Sequence, residues 1–261
     1  MPEQNPDTTA EEVVDTFVRT PNTERVYHKW TGRRPHVTER VMAHNSRAVY
    51  NVASAAVKRL ASEHPLGNIK AEDGFRVSPI KNWNPDFAFV HLFHFALEQI
   101  GRVYSFGEFR SWAAEPDNRW MVYKEADALV CAVQERLGAG GREARDAMAW
   151  RIGLAYYSFL RELYTVARLR EAGLDMRVHP LADALFRADA WHGHVVFELY
   201  VSNGEFRGRK QGAEGILAEG RPELRFVPLE MEKQHAFGRV HLPDEAQLQA
   251  CAEQIRAAAP S

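Results

Sequence analysis

Along the first two thirds of the chain, apolar residues recur at spacings of three and four, the period of helices with one buried face. Val13, Val14, Phe17 and Val18 form the first stripe, with Thr8 and Glu11 as a capping-box signature and Pro21 expected to end it. The basic, aromatic segment VYHKWTGRRPHVTER interrupts the period, and Gly32 and Pro35 force a turn within it. An alanine-rich helix is expected from about Val37 to Glu63, stopped before Pro65. Residues 65–85, with three prolines and two glycines, read as a loop. Helices are then expected over Phe87–Ile100, Ser105–Ala114 and Trp120–Leu137. The run Gly138–Gly141 suits a helix C-cap and hinge, and a long helix runs from about Arg142 to Ala172, stopping at Gly173.

Beyond Gly173 the period changes to two. MRVHP, ALFRADAW and HVVFELYV are predicted strands, GRKQGAEGIL a short helix, ELRFVPLE a further strand, and Asp244–Ala259 a closing helix. The expected fold class is α+β or α/β, a helical N-terminal half followed by a mixed sheet flanked by helices. The expected division is a disordered tail over 1–8, a helical and partly basic region over 9–140, and an α/β domain over 141–261.

Composition changes this picture little. The 261 residues are 45% hydrophobic and 26% charged, as in ordinary globular chains, which argues against wholesale disorder. The longest apolar runs, AFVHLFHFAL and HVVFELYV, fall far short of a bilayer span, and no signal-peptide pattern opens the chain. Cys131 and Cys251 are too few for a disulfide framework or a thiolate zinc site. A cytoplasmic protein without membrane contact is the expectation.

Charge is more informative than composition. Arg19–Arg59 holds seven Arg and two Lys against two Glu, a net of +7, which leaves −9 for the rest of a chain whose total is −2. Such segregation suits contact with a polyanion, although a solvated surface accounts for it as well. Lys29, Arg33, Arg34, Arg40 and Arg47 can neutralise phosphates, and Tyr27, Trp30 and His36 can stack on bases. Helix, Gly/Pro turn and helix also form a loose helix-turn-helix pattern.

The chemistry concentrates after residue 150. Ala155, Phe159, Glu162, Val166, Leu169 and Gly173 share one helix face, so Glu162 interrupts an apolar or small stripe. A carboxylate there faces a partner, a metal or a wet cleft, or else snorkels outward or pairs with an Arg. A hairpin between LFRADAW and HVVFELYV would bring Asp189 beside Glu198, and two or three convergent carboxylates suit Mg2+ or Mn2+. His91, His94 and Glu98 have zinc-ligand spacing but stand among Phe87, Phe89, Phe93 and Phe95, which favours core or interface. His192 and His194 flank Gly193 as in a hairpin turn, with a place in the cleft or a metal site with Asp189 as the alternative.

A helix with Glu, Leu seven residues on, Gly four later, an Asp at a strand end and a Glu in the next strand resemble the PD-(D/E)XK nuclease superfamily, the restriction-endonuclease-like fold. The residues carrying this are Glu162–Gly173, Phe186–Asp189 and Phe197–Tyr200, within roughly the last 110 residues. The resemblance implies a divalent-metal-dependent DNA endonuclease in which Asp189 and Glu198 bind Mg2+ or Mn2+ and Glu162 orients the ion or its water. The family's lysine two residues after the strand Glu is replaced by Tyr200, which makes Lys210 (or Arg209) the candidate catalytic cation. The alternatives are a non-catalytic DNA-binding protein of a plasmid, transposon or phage that keeps the nuclease fold, and a protein docking a partner through Phe87–Ile100. DNA is the expected partner. A homodimer, or a partner protein of a mobile-element or defence system, is left open.

Overall fold

In the computed structural model, the described residues are 7–61, 77–137, 141–202, 212–232 and 240–259. In chain order they form β1 (Thr8–Thr9), α1 (Ala10–Phe17), α2 (Pro21–Thr31), α3 (Pro35–Met42), β2 (Asn45–Ser46) and α4 (Ser54–Ala61). Next come α5 (Ser78–Lys81), α6 (Phe89–Ile100), α7 (Phe106–Ala114), α8 (Pro116–Leu137) and α9 (Gly141–Glu171). The remainder is α10 (Pro180–Phe186), β3 (Ala190–His192), β4 (Val195–Ser202), α11 (Ala213–Leu217), β5 (Arg225–Glu232) and α12 (Glu245–Ala258). The architecture is mixed α+β, mostly helical before a small mixed sheet. Among the described residues no helix is long and apolar enough to cross a membrane.

Several expected elements are corrected by capping and tertiary pairing. Thr9, not Thr8, caps α1 by accepting from the Glu12 amide, and Thr8 lies in β1. Pro21 opens a helix instead of only ending one, because Thr20 and Thr23 form a reciprocal cap ahead of it. Most of the basic, aromatic segment is therefore helical, turning at residues 32–34. The helix expected over Val37–Glu63 is broken: Asn45–Ser46 pair with β1, and α4 starts at Ser54, whose amide and hydroxyl donate to the Glu171 carboxylate at 2.9 and 2.7 Å. Within the expected loop, Ser78–Lys81 form one helical turn. The hinge glycines 138–140 lie outside the described residues. Over Met176–Pro180 a single bridge, Arg177 to Trp191, replaces the expected strand. ALFRADAW is helical through Phe186 because His179 caps α10 and Pro180 fills its first position, so β3 begins only at Ala190.

The chain forms two compact units, divided differently from a single cut at residue 140. One comprises residues 1–54, 162–235 and 242–261; the other comprises 55–161 and 236–241. The first unit holds the sheet, in the order β3-β4-β5, with β3/β4 antiparallel and β4/β5 parallel. Phe197 stands beside Val227 and Leu199 beside Leu229, and α12 packs on β5 with Leu248, Cys251 and Ile255 buried. Pro228, which has no amide proton, is confined to the edge strand β5.

The N-terminal segment is welded to that sheet. Phe17 is fully buried, 5.7 Å from Phe186 and 5.3 Å from Trp191 between ring centroids, and each such ring contributes about 1.5–3 kcal/mol by burial. The Tyr50 hydroxyl accepts from the Val178 amide at 3.1 Å, and the Arg170 guanidinium lies over its ring. Arg221, almost buried, donates to the Thr16 carbonyl at 2.9 Å. The second unit is built around rings: Phe93 packs on Phe109, Tyr156 and Phe159, and the Tyr104 hydroxyl donates to the Phe93 carbonyl at 2.7 Å.

His179 ties the cap of α10 to the N-terminal segment. Its Nδ1 accepts from the Leu181 amide at 3.1 Å, and its Nε2 hydrogen-bonds the His44 carbonyl at 3.0 Å, an arrangement that requires a neutral ring. Burial pushes its pKa down to about 4. Because the folded value is depressed from 6.5, the stabilisation is full above pH 6.5 and is lost as pH falls towards 4, on the order of 3 kcal/mol. Urea unfolding should therefore show the stability gap between the parent and His179→Asn, which keeps a capping acceptor without a titrating ring, closing on acidification. Parallel pH profiles for the two proteins would refute this.

Candidate metal centre

Three carboxylates converge in the sheet-bearing unit, each brought there by a different device, while Glu198, an expected ligand, lies outside their 4.8 Å group. On α9, Phe159, Val166 and Leu169 are buried and fix the helix rotation that leaves Glu162 half-buried. The cap at His179 starts α10 so that Asp183 stands in its first turn. Arg187 then adopts a left-handed conformation (φ 56°, ψ 27°), reversing the chain so that Asp189 returns towards Asp183. Continuing the β3/β4 register, in which Ala190 faces Phe197, sets Asp189 opposite Glu198, as the hairpin spacing suggests.

Glu162, Asp183 and Asp189 each present a carboxylate oxygen within 4.8 Å of the other two. Among the described residues this is the one group of three His, Cys, Asp or Glu side chains so arranged. The Leu199 amide donates to Asp189 Oδ2 at 2.5 Å, and the Asp189 amide donates to the Phe197 carbonyl at 3.1 Å, holding that side chain at the strand end. The Ala213 amide donates to Glu198 Oε2 at 3.0 Å. A β-carbon at Gly212 would stand 2.8 Å from that same oxygen, so glycine is what lets the backbone approach the carboxylate.

The electrostatics follow from crowding in a half-buried place. Burial first, then Asp189 and Asp183, push Glu162 well above the usual carboxylate range. Burial and then Asp183 do the same to Asp189, with the Glu198 charge adding to the rise and the Leu199 amide and Arg187 opposing it. Asp183 is raised to about 6 by burial, with Arg187 lowering and Glu198 raising it. Such a set either shares protons or shares a hard cation, since three charged carboxylates at this separation repel strongly. All donors are oxygen, which suits Mg2+ or Mn2+ better than a soft metal.

The other expected site residues fall elsewhere. The Tyr200 ring is 40% exposed and its hydroxyl donates to Glu230 Oε2 at 3.4 Å, its neighbour across β4/β5. Lys210 and Arg209 lie outside the described residues. His91 and His94 are buried against Phe95 and Phe159 and do not converge with Glu98 as a ligand set. His192 and His194 do flank a turn, with Gly193 at φ 55°, but they occupy the closed end of the hairpin while Asp189 is at its open end. His192 Nδ1 instead hydrogen-bonds the Asp175 carbonyl at 3.2 Å. Lys29, Arg33, Arg40 and Arg47 are exposed and Arg34 is half-buried, with Arg47 paired to Asp7. Asp183 joins the group although the alternation of ALFRADAW predicts a strand; the sequence signal for it is the His179-Pro180 pair, which marks a helix start.

The carboxyl shifts set a sign for pH dependence. A carboxyl whose folded value is raised stabilises the protonated fold below its unfolded value near 4, and that contribution is lost as pH rises through about 6 for Asp183. A cation restores it where protons have left. Mn2+ at 100 times its Kd should raise stability by about 2.7 kcal/mol at pH 7.5 and far less at pH 5 in denaturant titrations against EDTA. Absence of any shift at pH 7.5, or an unchanged shift in Asp183→Asn, would count against the centre. Comparisons with protein-family models, curated proteins and solved structures returned no match to this chain.

Proposed function

We propose that this chain is a divalent-metal-dependent DNA endonuclease of restriction-endonuclease-like fold, with Asp189, Glu198, Glu162 and, additionally, Asp183 as the carboxylates of its centre. The observation that carries the reading is the convergence of Glu162 and Asp189, two residues of the resemblance, with Asp183, which is not one of them, within 4.8 Å. A second feature supports it: the basic segment from Arg19 to Ser54 belongs to the same compact unit as the carboxylates.

A bound Mg2+ or Mn2+ would supply a water of lowered pKa and offset charge on a phosphodiester. The chain's own residues do the positioning. Asp189, anchored by the Leu199 amide, and Asp183, anchored through α10, would hold the ion from two elements. Glu162 would orient a water or accept its proton, a task suited to a carboxyl whose proton affinity is raised by burial and by Asp189 and Asp183. Lys29, Arg33, Arg34, Arg40 and Arg47 would neutralise backbone phosphates, a contribution that fixes register without reading sequence.

One observation favours the second reading, a DNA-binding protein of a mobile element without catalysis: the family's lysine position holds Tyr200, a phenol donating to Glu230. Supercoiled, linear and single-stranded DNA incubated with Mg2+, Mn2+ or EDTA separates the two. In the endonuclease reading, Asp189→Asn reduces cleavage to the level seen with EDTA while DNA binding and folding persist; normal cleavage by Asp189→Asn rules the metal assignment out. Arg33→Ala with Arg34→Ala should flatten the log–log salt dependence of DNA binding by about two units. An unchanged slope and affinity would move the DNA contact to another surface.

A further inference from the structure

The unit comprising residues 55–161 and 236–241 holds a cavity that the nuclease reading does not use, bounded by α7, α8 and α9. We propose that this cavity binds a small carboxylate with an apolar body, an aromatic or branched-chain acid, whose carboxylate is held by Arg110 and Arg145.

The helical period builds the cavity with a dry end and a charged end. Phe106 of α7, Ala126 and Val130 of α8, and Met148 and Ile152 of α9 line it and are buried. Arg110 stands four residues after Phe106 and Arg145 three before Met148, so each shares a helix face with a floor residue. Both arginines line the same cavity and both are exposed, which puts them at its rim.

Volume limits the occupant. The cavity measures about 190 Å³. An apolar cavity of about 150 Å³ takes up benzene, so one ring or a branched chain of similar bulk fits here. Water can solvate the rim, but its displacement from the apolar floor favours a ligand with an apolar body.

Charge fixes the other end of the ligand. Asp127 also reaches the rim, where its carboxylate pairs with Arg119. Among the described residues neither Arg110 nor Arg145 has an ion pair of its own; the ion pairs on these helices are Arg102 with Glu108, Arg119 with Asp127 and Arg142 with Asp146. Two guanidiniums at one opening repel each other, and an anion between them relieves that repulsion. A planar carboxylate accepts two parallel N–H donors from a guanidinium, and half-buried Tyr123 adds a hydroxyl to the lining.

Calorimetric titration of the full chain tests this, with phenylacetate and 4-methylpentanoate as probes. Phenylacetamide serves as the uncharged match and inorganic phosphate as the anion without an apolar body. At least one of the two acids should bind with a Kd of about 1 mM or tighter, and neither control should bind at that concentration. Arg145→Gln, at an exposed position, should weaken the acid about tenfold, and Ala149→Leu, which fills the cavity from its half-buried wall, should abolish binding. Melting curves establish that the variants fold; if Ala149→Leu does not, Arg145→Gln decides alone. Binding of neither acid, a control bound as tightly as the acid, or unchanged affinity in either folded variant overturns the inference. Cleavage of DNA by the parent bears on the nuclease reading alone.

Discussion

Mutual repulsion among Glu162, Asp183 and Asp189 is the constraint around which the sheet-bearing unit is organised. Three half-buried carboxylates within 4.8 Å are unfavourable as anions, and burial alone already raises each of them. The neighbouring groups offset charge only in part: the Leu199 amide on Asp189, the Ala213 amide on Glu198, and the Arg187 charge on Asp183 and Asp189. What remains is a raised affinity for protons at all three groups.

Holding those groups together against repulsion requires rigid supports. Glu162 sits on a helix whose same face is packed through Val166 and Leu169, Asp189 is pinned by two backbone hydrogen bonds, and Asp183 depends on a helix cap made by a buried neutral histidine. That histidine rests on the His44 carbonyl, so the N-terminal segment supports the centre as well as carrying positive charge. The same segment contributes Phe17 to the packing against Phe186 and Trp191, the residues flanking the reversal at Arg187. The acidic cluster and the basic segment up to Ser54 therefore belong to one compact unit.

The elements legible in the sequence were those with strong local signals. The helix starts at Ser105 and Asp244, the apolar period of the long helix, the stop at Gly173 and the alternation of β4 all lie where local pattern and tertiary packing agree. The hairpin turn at Gly193 and the facing of Asp189 and Glu198 belong to the same class, because a two-residue turn fixes register by counting.

The remainder depended on partners distant in the chain. Ser54 begins a helix because Glu171 accepts from its amide and hydroxyl, and Asn45–Ser46 leave helical conformation to pair with Thr8–Thr9. Ala184–Asp189 carried an alternation that fitted a strand, yet the cap at His179 and the left-handed Arg187 made it a helix and a reversal, adding Asp183 to the centre. By itself the sequence determined the helical and strand periods, the acidic residues and the block of positive charge. Only the tertiary structure decided which carboxylates meet, since their convergence is set by a cap and a chain reversal that local periodicity does not encode.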